Sequence, residues 1–586
     1  MDVADEFKRA LEHHQQGRLL EAGEIYREIL ARDPDHVDAL NLMGVVLQAA
    51  GDLELAETLI RRATEVAPEY FAPFANLGNV VQAAGRLPEA IELFRKALDL
   101  NHDSFETWNN LASALNATEE HEAALEASKK ALSIINDFPE ALVNMGNAFL
   151  GMRQTTKAVE SYKKALDLSP QHPNALFNLG NAYMDLENFD AAIEPYRGAV
   201  QLDVGNAEKH FNLANALMKT GQLTESLKPF ETAIALKPNY VDALCNYASS
   251  LQSLGRADQA MAHLQKALLS EPESPDLHWN LSLAALQNGD QSTGWAEYEW
   301  RWKMPTFADF KRDFSQPVWR GEALIGRSLF VHTEQGFGDN IQFCRYVQMV
   351  SNKGGRVILE CRPELKRLFG TLDGTETLVT LGGVLPEFDF HIPLMSLPNV
   401  FGTTIDTVPS NVPYLSVPEE IDPDPRISEA NGFKVGLVWA GSPTRVDNQK
   451  RSLLFSDLEP LFDVPGIDFF SLQVGAGKDE LKKAKTGLIT DLTDNILDFA
   501  DTASILSQLD LLISVDTSVL HLAGALAKPA WGAMSSPTGF LWMDDREDSP
   551  WYPSLRLFRQ TKPGEWGPVI LSICEALVLE KGVSDK

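Results

Sequence analysis

Small residues recur at an unbroken spacing of about 34 through the first half of the chain. One column reads Gly44, Gly78, Ala112, Gly146, Gly180, Ala214, Ala248 and Ser282. A second reads Ala22, Ala56, Ala90, Ala124, Ala158, Ala192, Ser226 and Ala260, and a third Ala63, Ala97, Ala131, Ala165, Ala199, Ala233 and Ala267. A unit of this length cannot bury a core alone, so copies must stack on one another and share one. Turn signals divide each copy into two helices. Gly17, Gly51, Gly85, Gly221, Gly255 and Gly289 end the first helix, and Pro34, Pro68, Pro170, Pro238 and Pro272 end the second. Small side chains at fixed crossing points let neighbouring helices approach closely.

The segments "LGNAY" and "AAIEPYRGA" make the pattern resemble the tetratricopeptide repeat. Eight full units cover residues 3–274 and a degenerate ninth runs to about residue 302, so an α-solenoid is expected over residues 1–302. Within the repeat "NALFNLGNAYMD", Leu176, Leu179, Gly180 and Tyr183 form one apolar arc, and Asn178 and Asn181 point roughly opposite it. Asparagine costs a helix interior roughly half a kcal/mol relative to alanine. It nonetheless fills one column at Asn76, Asn110, Asn144, Asn178, Asn212, Asn246 and Asn280. In tetratricopeptide solenoids this helix lines the concave surface, which makes the column a ladder of carboxamides able to hold the backbone of an extended acceptor peptide. A solvated polar face is the alternative.

Charge narrows the partners. The 51 Lys and Arg against 82 Asp and Glu, net −31, argue against a nucleic-acid backbone or an anionic membrane surface. The start, "MDVADEFKRALEHH", is charged and amphipathic, and no run of about 18 apolar residues occurs, so a soluble cytoplasmic protein is expected. Cys245, Cys344, Cys361 and Cys574 lack metal-site spacing.

Beyond residue 302 the period stops at the aromatic junction "GWAEYEWRWKMP". After a linker over 303–326, the pattern becomes strand, glycine loop, helix. One set ("RSLFVHTEQGFGDNIQFCRYVQMV", "RVILEC", "TLVTL", "DFHIPL") fills 327–420, and a second ("FKVGLVWAG", "DFFSLQ", "LDLLISVD", "PAWGAM") fills 433–586. The Pro-rich "VPEEIDPDPRI" stands between them. Two α/β units of this kind predict two Rossmann-like domains facing a cleft, an α plus α/β chain overall. "GFGDNI" lacks the third glycine of a dinucleotide fingerprint, and "QVGAGKDE" lacks two elements of a Walker loop. The D-x-D triplets at 33–35 and 422–424 fall at a repeat junction and in the linker, and no zinc spacing exists.

The segments "EQGFGDNIQFCRY", "VGLVWAGSP" followed by "KRS", "SVDTSVLHLAGAL" and "DSPWYPSLRLFRQ" resemble bacterial tetratricopeptide glycosyltransferases of GT-B fold. These are related to heptosyltransferases in their catalytic half and to the O-linked N-acetylglucosamine transferase in layout. The resemblance implies a metal-independent, inverting transferase that uses a nucleotide-sugar as substrate, needs no cofactor, and modifies Ser or Thr of a protein. Some members resemble flagellin glycosyltransferases using nonulosonic acids. The chain departs from many relatives at "TGFLWMDDRED", where they carry Asp-Trp-Arg-Trp.

Residue chemistry assigns roles within that frame. Asp516, Thr517, Ser518 and His521 follow a buried strand at a helix start, where hydroxyls and free N–H groups suit a pyrophosphate. Lys450 and Arg451 could neutralise the leaving diphosphate. Asp339, after Gly336 and Gly338, matches the position of the general base proposed in heptosyltransferase-like enzymes. An aspartate there equally suits a helix cap. His332 and Glu334 are rival bases, and His391 reads as structural. Trp542, Arg546 and Tyr552 are candidates for a wall around base or sugar, with Trp551 and Tyr552 equally suited to the core. Two other classes stay open: a transferase for lipid or polysaccharide glycans, and a tetratricopeptide adaptor without catalysis.

Overall fold

The computed structural model describes residues 2–443, 448–475, 477–483, 487–543 and 546–584. They fall into two compact units, Met1–Lys237 and Pro238–Lys586.

The first unit is helical throughout its described residues. Helices of 13 and 14 residues alternate, from Val3–Gln15 and Leu19–Arg32 to Ala207–Lys219 and Leu223–Leu236. The small-residue column sets how closely the two helices of a repeat pack. A Cβ added at Gly78, Gly146 or Gly180 would lie 2.4–2.5 Å from the ring of Phe94, Tyr162 or Tyr196, sixteen positions on. Where the column carries Ala112, the register places the small Ser128 in that facing position. Each first helix ends on a residue in the left-handed region, and glycine fills this place at Gly17, Gly51, Gly85 and Gly221. Three repeats put other residues in the same conformation: Glu119 (φ 63), Arg153 (φ 58) and Glu187 (φ 55).

The second unit opens with helices that keep the same period: Val241–Ser253, Ala257–Leu268, Pro275–Gln287 and Gln291–Tyr298. Two 3-10 turns follow, Glu299–Lys303 and Pro305–Phe310. The rest is built on two sheets. The first holds β1 (Ser328–His332), β2 (Arg356–Cys361), β3 (Thr377–Thr380) and β4 (Phe390–Pro393) in the order β3-β2-β1-β4. The second holds β5 (Phe433–Val438), β6 (Ile467–Ser471), β7 (Thr490–Asp491), β8 (Leu511–Val515), β9 (Ala530–Met534) and β10 (Leu555–Arg559) in the order β10-β9-β8-β5-β6-β7. All their pairings are parallel. β1, β4, β8 and β9 are buried at every position, which explains why they read as continuous apolar runs and not as alternating ones. One buried cluster runs from Trp295 and Tyr298 through Leu329, Val331 and Ile392 to Leu520 and Met534, so the end of the repeat helices shares a core with both sheets.

Candidate functional site

In an open parallel sheet, loops leave in opposite directions at the strand where the order reverses, and a crevice opens there at the carboxyl ends. The second sheet reverses between β5 and β8, in the doubly wound order 3-2-1-4-5-6. The first reverses between β1 and β4. The predicted site residues collect at these two places.

At the end of β8, Thr517 is the N-cap of the helix Ser518–Ala525, yet its side chain makes no capping bond. Its hydroxyl instead lies 3.0 Å from Ser514 Oγ, so the first backbone N–H groups of the helix have no hydroxyl cap. Ser518, the first helical residue, is half-buried. Arg451, from the short helix Asn448–Arg451, donates to the carbonyl of Asp516 at 2.8 Å and to its carboxylate. Both partners are largely buried, so this pair crosses from the loop after β5 to the loop after β8 and closes the floor of the crevice. The same loop is splinted by Gln473, whose Oε1 accepts from the Trp439 and Ala440 N–H groups at 2.9 and 2.8 Å. Lys450 is exposed.

At the end of β1, Gly336 is the N-cap of the helix Phe337–Phe343, and Asp339 occupies its third position. The Gly336 N–H donates to Asp339 Oδ2 at 3.0 Å. Asp339 therefore closes the helix start from within and is not itself the N-cap; it remains half-buried. Glu334, one of the rival bases, is 2 % exposed and accepts from Arg301 through both oxygens, at 2.9 and 3.0 Å, so it is a committed ion-pair partner. His332, the other, is buried with its Nε2 3.3 Å from His391 Nδ1, and its own Nδ1 has no partner among the described residues. Burial, helped by the Arg312 charge and by His391, holds its pKa well below the usual histidine value.

The two crevices meet. A Cβ on Gly338 would lie 2.8 Å from His521 Cδ2, so the start of the helix carrying Asp339 packs directly on the helix that Thr517 begins. His521 is itself buried, with Nδ1 3.1 Å from the Tyr552 hydroxyl and its ring 4.9 Å from that of Trp542. Trp542 and Tyr552 are 2 % and 0 % exposed, so they support His521 from behind and present no open wall. Arg546 turns to Asp548, with bonds of 2.7 and 2.8 Å, and Asp544 and Asp545 of the divergent segment lie outside the described residues. The described residues hold no group of three or more His, Cys, Asp or Glu placed to bind a metal ion. No helix among them is long and apolar enough to cross a membrane.

The asparagine column differs from its expected exposure. Its members are half-buried and bond from one repeat to the preceding one: Asn76 Nδ2 to Asn41, Asn110 to Asn79, Asn144 to Asn109, Asn178 to Asn147 and Asn212 to Asn181, at 2.8–3.3 Å. Tyr162 and Tyr196 add hydroxyl donors to Asn147 and Asn181. In the second unit Asn280 donates to the Asp276 carbonyl and Asn246 is half-buried. Stacking of first helices side by side puts these carboxamides within reach of one another, a juxtaposition that a single-helix projection does not show. In the middle of the column Asn178 Oδ1 and Asn147 Nδ2 have no partner among the described residues.

Family models described as tetratricopeptide repeat match residues 13–77, 70–137, 143–207, 211–268 and 245–292. The first half of the chain is built of tetratricopeptide repeats. Protein FlbA of Caulobacter vibrioides is 27 % identical over 327 residues, which cover 50 % of this chain and 53 % of that protein. The chain thus spans about half the length of this curated relative. Similar solved structures include three with lower identity. The Cut9–Hcn1 hetero-tetramer of the APC/C is 19 % identical, with TM-score 0.37 and shares of 45 % of this chain and 52 % of that one. Pseudomonas aeruginosa pilF is 21 % identical, with TM-score 0.33 and shares of 37 % and 97 %. YrrB, a tetratricopeptide protein with an unusual peptide-binding site, is 20 % identical, with TM-score 0.27 and shares of 32 % and 95 %.

Proposed function

We propose that the chain is a protein O-glycosyltransferase with a GT-B catalytic half, moving a sugar from a nucleotide-sugar donor to Ser or Thr of a protein held by the repeats. The observation that supports this most is the direct packing of Gly338 on His521, which turns two strand-end crevices toward one another. A reaction joining two bound substrates needs such a facing pair. The uncapped N–H groups behind Thr517 suit the donor diphosphate, and Lys450 and Arg451 supply positive charge as it leaves. Asp339, half-buried at the opposite crevice, takes the acceptor hydroxyl's proton as that oxygen attacks the anomeric carbon. The asparagine column takes the acceptor backbone, beginning from Asn178 Oδ1 and Asn147 Nδ2, which have no partner among the described residues. Flagellin as acceptor and a nonulosonic acid as sugar follow from the resemblance in sequence.

A second reading, an adaptor without chemistry, draws on one observation: Arg451 already pairs with Asp516, an arrangement a bound diphosphate must share or displace. Calorimetry across a panel of nucleotide-sugars separates the two. The transferase reading expects donor binding in the parent, weakened by Thr517→Ala with Ser518→Ala and by Arg451→Ala. Equal affinity in all three proteins removes the phosphate site from the account.

A further inference from the structure

The repeat helices end in the 3-10 turn Glu299–Lys303, which carries Arg301. Arg301 has a fully buried side chain, and a guanidinium there requires complete pairing to offset its lost hydration. Its bonds go to both oxygens of Glu334, to Ser396 Oγ at 2.8 Å, to the Tyr298 carbonyl at 3.2 Å and to Glu299 at 3.0 Å. Glu334 follows β1 and Ser396 follows β4, so one side chain from the repeats spans both loops at the first sheet's reversal point. Glu334 Oε1 also accepts from the Met395 N–H at 2.9 Å, which ties those two loops together a second time.

The next residue is held from the same side. Gln335 adopts φ 59, a left-handed conformation that a non-glycine residue keeps only where its neighbours enforce it. Its side-chain amide donates to the Tyr298 hydroxyl at 2.7 Å, and its carbonyl accepts from Arg362 at 2.6 Å. Asn340 Nδ2 then gathers the carbonyls of Glu334 and Gly336, at 3.0 and 2.7 Å, and Gly336 N–H meets Asp339. A continuous chain of bonds therefore runs from Tyr298 and Arg301 to Asp339.

We propose that Arg301 and Tyr298 are positioning residues for the loop 333–339, so that the last turn of the repeats is a working part of the site. The consequence for the reaction rests on the reading of Asp339 as the base; the clamp itself does not. Two full-length variants test it. Tyr298→Phe removes only the hydroxyl that Gln335 reaches. Arg301→Met with Glu334→Met removes the buried pair as a unit, a replacement that usually leaves folding intact. The first readout is hydrogen exchange. Amides of residues 336–340 should exchange about tenfold faster in both variants, with β1 amides unchanged. The second is kinetic: kcat should fall about tenfold or more, with the donor KM unchanged. Unchanged exchange at 336–340 overturns the clamp, and faster exchange with unaltered kcat overturns the positioning role. A parent without turnover on any nucleotide-sugar counts against the transferase reading, and the exchange result then decides the clamp alone.

Discussion

Replacing Glu119, Arg153 and Glu187 with glycine should stabilise the first unit. All three sit where the first helix of a repeat ends in a left-handed residue, and four sister repeats of that unit already use glycine there. That conformation costs an L-residue about 1–2 kcal/mol. Glycine loses more backbone freedom on folding, which returns roughly 0.5–1 kcal/mol of the gain. The three side chains are exposed, and none makes an ion pair among the described residues, so no contact is lost on truncation. A Cβ at the sister positions Gly17, Gly51, Gly85 and Gly221 meets nothing within 4 Å, so the penalty at this column is one of backbone alone. The net gain is then about 0.5–1 kcal/mol per site, and the sites are far enough apart in the stack to add. Repeat arrays open piecewise, so hydrogen exchange is a better assay than a single melting point. Amides in the helices flanking each site should gain roughly threefold in protection for about 0.65 kcal/mol. Gly85→Ala, the reverse change, should lose protection by a similar factor. Unchanged protection in the glycine variants, or a neutral Gly85→Ala, would refute the argument.

Gly180→Ala puts a methyl group 2.5 Å from the Tyr196 ring and should cost about 1–3 kcal/mol by chemical denaturation. Gly205→Ala, where the nearest neighbour is Asp203 Oδ1 at 4.0 Å, should stay within about 0.5 kcal/mol. His332 is held neutral in the fold and takes a proton more readily once unfolded. The second unit should therefore lose stability as pH falls below about 6.5, with a slope near 1.4 kcal/mol per pH unit for one proton, while above that pH the group contributes no slope. Of the 11 tryptophans only Trp108 precedes residue 238, so fluorescence against urea reads this unit, and His332→Phe should flatten the acid side of the curve. The triple change Asn144→Ala, Asn178→Ala and Asn212→Ala removes four bonds between repeats, two of them from Asn144 Nδ2 to Asn109. Each is worth about 0.5–1.5 kcal/mol against roughly half a kcal/mol regained in helix propensity. Circular dichroism should show a folded solenoid, and acceptor capture should fall more than about a hundredfold if the ladder holds peptide backbone.

Much of this was legible in the chain because its signals are local. The 34-residue columns carry helix pairing, and the turn glycines carry helix ends. Apolar runs such as "LDLLISVD" carry buried parallel strands. The strand β10 gives a weaker signal, since "LRLFR" mixes charge with apolar residues, as suits the sheet edge where it lies. The left-handed ends at Glu119, Arg153 and Glu187 carry no glycine and give no local turn signal. What escaped is non-local. Asn178 looks solvent-facing on an isolated helix, and only stacking brings it to Asn147. Arg301 and Glu334 are 33 positions apart, and the one trace in the sequence was an arginine set among the aromatic residues of "EYEWRWK". Trp542 and Tyr552 have the composition of a ligand wall, but burial against His521 makes them support.

Transfer of a sugar to protein is the function proposed for this chain. The most direct test is the intact mass of flagellin co-expressed with the full chain in cells that supply nucleotide-sugars, with Asp339→Asn run beside the parent. Flagellin should be heavier by whole glycosyl residues on Ser or Thr with the parent and unmodified with Asp339→Asn, whose donor affinity should be unchanged. Flagellin of unaltered mass with the parent, together with no nucleotide release from any donor, would contradict it.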